Sequence, residues 1–254
     1  MNIVVPIKMV PDLVEELVID ENGTALDTTY LRLKLNEFDD HAIEQALLLK
    51  ESGAGPVTVV APDMEGVDEA LYTAAAKGAD RLIKLTGRFG YNVDNHALAR
   101  VFANAVKTLR PELILTGVQG HHDLDGPVGP RLAEHLGMPY VGYVAGVAVS
   151  ESEATVRKEM PGGIIAETTV TIPAVLGIQA AAKPPRYVPV SSVRQTMKTT
   201  VIEKQPAAEL EFINGPRTVH LSQPEAGQRA TMLEGDVDQI AARLVEIFKQ
   251  HGIL

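Results

Sequence analysis

Short apolar runs that could be buried on both faces alternate with amphipathic helical patterns over the first 136 residues, and this alternation most constrains the fold. Ile3–Ile7, Pro56–Ala61, Arg81–Leu85 and Leu113–Thr116 read as strands. Asp39–Glu51, Gly66–Lys77, Asn95–Leu109 and Gly129–Leu136 read as helices, with Ala42, Ala46, Leu47 and Leu49 giving the first its apolar stripe. Strand–helix–strand alternation implies an α/β fold, a doubly wound and mostly parallel sheet whose strands are covered on both faces. Val14–Asp20 and Leu26–Leu31 are expected to form a hairpin around Glu21-Asn22-Gly23. Near residue 140 the pattern changes. Gly142–Val149, Thr155–Met160 and Ile164–Thr171 alternate apolar and polar residues, with a turn at Pro161-Gly-Gly163, so an antiparallel excursion is expected before a last buried strand, Pro173–Gln179.

The organisation divides into an α/β nucleotide-binding domain over residues 1–187 and a partner-binding C-terminal arm over 188–254. Residues 188–229 carry several prolines and little periodicity, as in a segment that wraps a partner or is mobile. Asp236–Gln250 closes the arm with an amphipathic helix whose apolar face is Ile240, Leu244, Ile247 and Phe248.

The candidate site is the loop after the fourth of these strands. It runs Gly117-Val-Gln119-Gly120-His-His-Asp123-Leu-Asp125-Gly126-Pro127-Val128-Gly129 and opens into a helix. Its glycines permit close backbone approach to a ligand, the helix start offers unpaired N–H groups to a phosphate, and Asp123 and Asp125 supply acceptors for ribose or base. The loop is longer than a strand–helix connection needs, which favours binding over mere linkage. A metal site built from His121, His122, Asp123 and Asp125 ranks below nucleotide contact, because adjacent histidines rarely reach one ion.

Composition removes other classes. With no cysteine there is no disulfide, thiolate metal site, iron–sulfur ligation or thiol nucleophile. A net charge of −10 without a basic block argues against nucleic acid. The chain has no Trp, and its few Tyr and Phe leave aliphatic walls to pack any ring system. No apolar run approaches the ~20 residues of a membrane span, and the N-terminus lacks a signal-peptide layout, so direct membrane insertion is not expected and a cytoplasmic location is. Neither a nucleophile elbow nor a Walker lysine is present, so the chain reads as a binder of nucleotide rather than a catalyst.

The chain resembles the beta subunit of electron transfer flavoprotein. The resemblance is carried in order by Val5-Pro-Ile-Lys8-Met-Val-Pro-Asp12, by Leu35-Asn36-Glu-Phe38-Asp39 with Ala42-Ile-Glu-Gln-Ala46, by Gly78-Ala-Asp-Arg81, by Gly117-x-Gln119, by Arg157-Lys-Glu159-x-x-Gly162-Gly163, by Ile172-Pro-Ala-Val175 and by Pro185-Arg-Tyr187. It implies a heterodimer with an alpha subunit carrying the redox-active FAD. This chain would hold AMP or, as in electron-bifurcating members, a second FAD, and the pair would serve flavin dehydrogenases and a quinone-oxidoreductase type acceptor. By position the nucleotide contacts transfer to Pro6, Asn36, Phe38, Asp39, Pro62 and the loop from Gly117 to Gly129. Asn36 is read as a ligand contact, and Asp39 as a helix N-cap first and a ligand contact second. The loop departs from the AMP-binding pattern at Val128, which replaces a hydroxyl, so AMP, FAD and an empty site all stay open. The resemblance also implies a recognition loop after Tyr187 with one apolar anchor, Val193 counted back from Met197 or Val190 counted forward from Tyr187. It further implies that Glu159 contacts the alpha subunit's mobile flavin domain. The competing class is a free-standing adenine-nucleotide sensor on the same sheet.

Overall fold

The computed structural model describes residues 1–207, 218–224, 227 and 230–254, in two compact units, Met1–His220 and Leu221–Leu254. Among the described residues the main sheet has nine strands: β1 (Ile3–Pro6), β4 (Val57–Pro62), β5 (Arg81–Thr86), β6 (Leu113–Gly117), β7 (Tyr140–Val149), β8 (Glu153–Met160), β9 (Ile164–Thr171), β10 (Ala174–Ile178) and β11 (Ile202–Pro206). A small antiparallel sheet pairs β2 (Met9–Pro11) with β3 (Leu33–Leu35). The large sheet runs β11-β5-β4-β1-β6-β10-β7-β8-β9, parallel as far as β7 and antiparallel beyond it. The doubly wound sheet with an antiparallel excursion is therefore present.

Two apolar layers sandwich the parallel part. Ile3, Val5 and Ile7 face Ala42 and Leu47 of α1 (Glu37–Glu51) and Val67 and Leu71 of α2 (Val67–Lys77). Val4 and Val60 face Leu98 and Phe102 of α3 (Asn95–Lys107) and Leu132 of α4 (Val128–Leu136). Burial on both faces explains why the central strands read as continuous apolar runs rather than alternating ones. From β1 the chain winds outward through β4 to β5, then crosses back by α3 to place β6 on the other side of β1. That reversal makes the carboxyl ends of β1 and β6 a topological switch point, where open α/β sheets bind ligands.

Two expectations fail locally. The hairpin at 14–31 has its turn, closed by Asp20 accepting from the Thr24 and Ala25 amides, but only the isolated bridge Ile19–Leu26. Leu13, Val14, Val18 and Tyr30 are exposed, so no apolar layer holds two strands together there. The pairing occurs instead at its base, between β2 and β3. The stretch after Tyr187 is not irregular throughout: it contains α5 (Val190–Thr199), which packs on α2, and β11, which extends the sheet parallel to β5. In α5 the apolar residues at 190, 193 and 197 stand at helical spacing among Ser and Thr. β11 is an edge strand and needs no two-sided apolar sequence. Residues 208–217, 225, 226, 228 and 229 of the expected arm lie outside the described residues. In the second unit α6 (Val237–Gln250) opens on a capping box, Asp236 with Gln239, and buries none of its side chains.

Candidate functional site

A small cleft, partly open to solvent, lies at the switch point. Pro6, Ile7 and Lys8 come from the end of β1 and the turn after it, Thr116 and Gly117 from the end of β6, and Gln119 and Asp123 from the following loop. Asn36 and Asp39 at the start of α1, Phe102 of α3 and Val128 of α4 complete the wall. Of the predicted nucleotide contacts, Pro6, Asn36, Asp39, Gly117, Gln119, Asp123 and Val128 thus meet at one place. Phe38, Pro62, Gly120, Asp125, Gly126, Pro127 and Gly129 stand outside that wall.

Asp39 is not the N-cap of α1; Asn36 holds that position, and makes no side-chain cap bond. The Asn36 amide instead donates to the Gln119 carbonyl at 3.0 Å, tying the helix start to the loop. The Asp39 carboxylate spans the switch point. Its Oδ2 accepts from the Lys8 amide at 2.9 Å and its Oδ1 from the Gly117 amide at 2.9 Å, joining the ends of β1 and β6 to α1. Both amides lie where a strand stops and would otherwise be buried without partners. Burial pushes the Asp39 carboxyl up to about 6, against the two amides and the charge of Lys8, which favour ionisation. The proton is thus bound more tightly in the folded chain than at the ordinary 3.8. This contribution to stability is full below about pH 4 and is lost as pH rises through 6. The expected loss is roughly 1–3 kcal/mol. Denaturant titrations at pH 4 to 7 should show it as a fall in the stability of the native chain that Asp39→Asn lacks, because an amide does not ionise in this range.

The two loop aspartates are held by the protein's own groups. Asp123 pairs with the Lys8 ammonium, both side chains nearly buried, and accepts from the Gly120 amide at 2.6 Å. Burial acts to raise its pKa, but Lys8 outweighs that and holds the carboxyl below its ordinary value. Asp125 accepts from the Asn95 backbone at 2.7 Å and its side-chain amide at 3.0 Å. Arg131, one turn into α4, folds back on the loop and donates to the Asp125 carbonyl, to the Pro127 carbonyl at 2.8 Å and toward His96 at 3.0 Å. Gly126 has φ +84°, and a Cβ there would meet this guanidinium at 3.2 Å. Sequence reasoning missed Lys8, Asn95 and Arg131 as organisers of the site. Of these only Lys8 carried a signal, a charged residue directly after a wholly apolar strand.

Two features could serve an anionic ligand. Thr116 lines the cleft, and its Oγ1 is buried without a hydrogen-bond partner among the described residues. Pro127 caps α4 and Pro130 is its third residue, so Val128 and Gly129 supply the free N–H groups of that first turn. Gly129 lies against the Thr116 hydroxyl, where a Cβ would stand 2.8 Å from Oγ1. Among the described residues no cluster of His, Asp and Glu could hold a metal ion, and no helix is long and apolar enough to cross a membrane.

The predicted docking residues fall on two other surfaces. Val190 and Met197 are exposed on α5 at 63% and 51%, whereas Val193, between them, is buried. Glu159 is exposed on β8.

Residues 24–210 match the family model described as the electron transfer flavoprotein domain. The chain is similar over 98% of both lengths, at 30% identity, to the electron transfer flavoprotein subunit beta of Methylophilus methylotrophus. It is 31% identical to the subunit beta of Syntrophomonas wolfei over 86% of this chain and 85% of that one. The subunit beta of Clostridium acetobutylicum is 33% identical over 76% of this chain and 74% of its own length. The sheet, its switch-point cleft and these similarities agree, and the chain belongs to the electron transfer flavoprotein beta-subunit family.

Proposed function

We propose that this chain is the beta half of a heterodimeric, cytoplasmic electron transfer flavoprotein, an electron carrier whose redox FAD sits in the alpha subunit. In this reading the cleft between β1 and β6 holds an adenine nucleotide, AMP or a second FAD. The observation that carries it is the buried, unpartnered Thr116 hydroxyl beside the free N–H groups at the start of α4. That donor set suits a phosphate, and the aliphatic and Phe102 surfaces around it suit a nucleoside. A bound flavin would supply the electron chemistry; the chain's residues bind, orient and shield it. Asn36 and Gln119 shape the loop entry, and Asp39 fixes the strand ends beneath the ligand.

Exposed Val190 and Met197 make α5 the docking element for flavin dehydrogenase and quinone-oxidoreductase type partners, with Val190 as the anchor and buried Val193 seating the helix. Glu159 faces the alpha subunit's flavin domain. The C-terminal arm, including α6 with its apolar face of Ile240, Leu244, Ile247 and Phe248, embraces the alpha subunit. A free-standing sensor would have no use for such a helix.

Co-purification with the alpha partner, denaturation and chromatography of the released cofactors test this directly. One FAD and one AMP per dimer is the outcome for a simple carrier. Two FAD and no AMP would place a flavin in the cleft and make bifurcation the working model. No stable complex and no flavin would overturn the carrier reading. Val190→Asp is expected to slow electron uptake from a partner dehydrogenase by about tenfold while leaving the heterodimer and its cofactor content intact.

A further inference from the structure

We infer that Lys8 is the cation that receives the nucleotide's phosphate, and that Asp123 is an internal counter-anion that occupies Lys8 until the phosphate displaces it. This rests on the nucleotide reading of the cleft. Lys8 is the cationic residue of the cleft wall, and its side chain is only 9% exposed. A buried ammonium requires an anion or several strong acceptors. It has Asn95 Oδ1 at 3.1 Å and the Asp123 carboxylate, itself 4% exposed.

These two partners differ in how they are held. Asn95 opens α3 and is fixed there by further bonds to Asp125 and Gly126. Asp123 lies in a loop segment without regular structure. Its Oδ2 also accepts from the Gly120 amide at 2.6 Å, and its own amide donates to the Gly120 carbonyl at 3.1 Å, which closes a tight turn three residues back. Turning Asp123 outward to water therefore disturbs no helix or strand. A phosphate arriving at Lys8 replaces one anion by another and leaves the charge balance of the wall unchanged. It would also reach what Asp123 leaves unused, the Thr116 hydroxyl and the N–H groups of Val128 and Gly129. The internal ion pair thus competes with the ligand and lowers its affinity, while keeping the empty cleft from burying a lone charge. An Asp123 that accepts from a ribose hydroxyl would act in the opposite sense, strengthening nucleotide and nucleoside alike.

The heterodimer, stripped of bound nucleotide, is titrated calorimetrically with AMP and, as the phosphate-free control, adenosine. Asp123→Asn is expected to tighten AMP about tenfold and to change adenosine less than about twofold. The nucleotide-free Asp123→Asn complex should also melt lower than the native one, with AMP restoring more of the loss than it adds to the native complex. Lys8→Met should weaken AMP about tenfold or more, spare adenosine, and abolish the gain from Asp123→Asn in the double variant. Equal weakening of AMP and adenosine by Asp123→Asn would overturn the exchange and make Asp123 a sugar ligand. So would a Lys8→Met complex that binds AMP as the native one does. Either result leaves the nucleotide reading standing, whereas a native complex that binds neither probe removes both.

Discussion

Replacing Gly117 by Ala is expected to cost roughly 3 kcal/mol or more and to lower Tm by about 6–12 °C. Gly117 ends β6 where the strand runs under the first turn of α1. A Cβ there would collide with Asp39 Oδ1 and stand 2.8 Å from the Asp39 amide nitrogen and 2.8 Å from the Phe38 carbonyl carbon. Two of these are backbone atoms, so no rotamer change relieves the contact, and the helix start must lift off the sheet. That movement would break the bond from the Gly117 amide to Asp39 and open the floor of the cleft. The variant should therefore lose nucleotide as well as stability. Gly146→Ala is the control: its Cβ would meet nothing closer than Arg157 Cδ at 3.7 Å, so its melt should match the native one. A native-like melt for Gly117→Ala would show that α1 does not approach β6 this closely.

Arg186→Ala is expected to destabilise the chain by roughly 3 kcal/mol at pH 7 and to release α5. Arg186 follows the last central strand and returns to α1. Its Nε and Nη2 donate to Glu44 at 2.8–3.1 Å, its backbone amide donates to Glu44 Oε2 at 3.0 Å, and its Nη1 donates to Glu51 at 2.6 Å. The Glu44 side chain is 3% exposed. Burial works to raise its pKa, but the hydrogen bonds and charge of Arg186 outweigh it and hold the carboxyl below the ordinary value. With the native folded value lowered, the pair's stabilisation is present above the ordinary 4.5 and lost as pH falls through the folded value. Removing Arg186 strands a buried carboxylate, whose folded value then rises, so the penalty should be largest at neutral pH and shrink toward pH 5. Hydrogen exchange should show the 187–200 segment losing protection before the central sheet, because this clamp fixes the chain just ahead of α5. Glu44→Gln should cost less, since no bare charge is left buried. Equal losses at pH 5 and pH 7 for Arg186→Ala would count against the buried-charge account.

The parallel strands and the helices of the first 136 residues were legible because each carries its whole signal locally. Two-sided burial makes β1 wholly apolar and β4 and β6 apolar but for one threonine each, and one-sided burial gives α1 and α3 their stripes. The antiparallel excursion was legible from its period-two alternation and the Pro161-Gly-Gly163 turn, where Gly162 and Gly163 adopt φ of +82° and +75°. The 14–31 hairpin misled because an apolar alternation and a good turn do not make strands without a layer to bury them. α5 and β11 were hidden for the converse reason: they are peripheral, need one apolar contact per turn or fewer, and borrow their order from α2 and β5.

For the site, the sequence by itself determined the position of a glycine-rich loop at the carboxyl end of a parallel strand, and so the place where a ligand would lie. It could not determine what the loop's carboxylates do. Asp39 looked like a cap and became the bridge between two strand ends. Asp123 and Asp125 looked free and are held by Lys8 and Asn95, which lie 115 and 30 residues away along the chain. Helix and strand formation answer to neighbours within a few residues. The partner of a buried charge is whichever group the sheet order brings beside it, and that order, with β1 between β4 and β6, exists only in the folded chain.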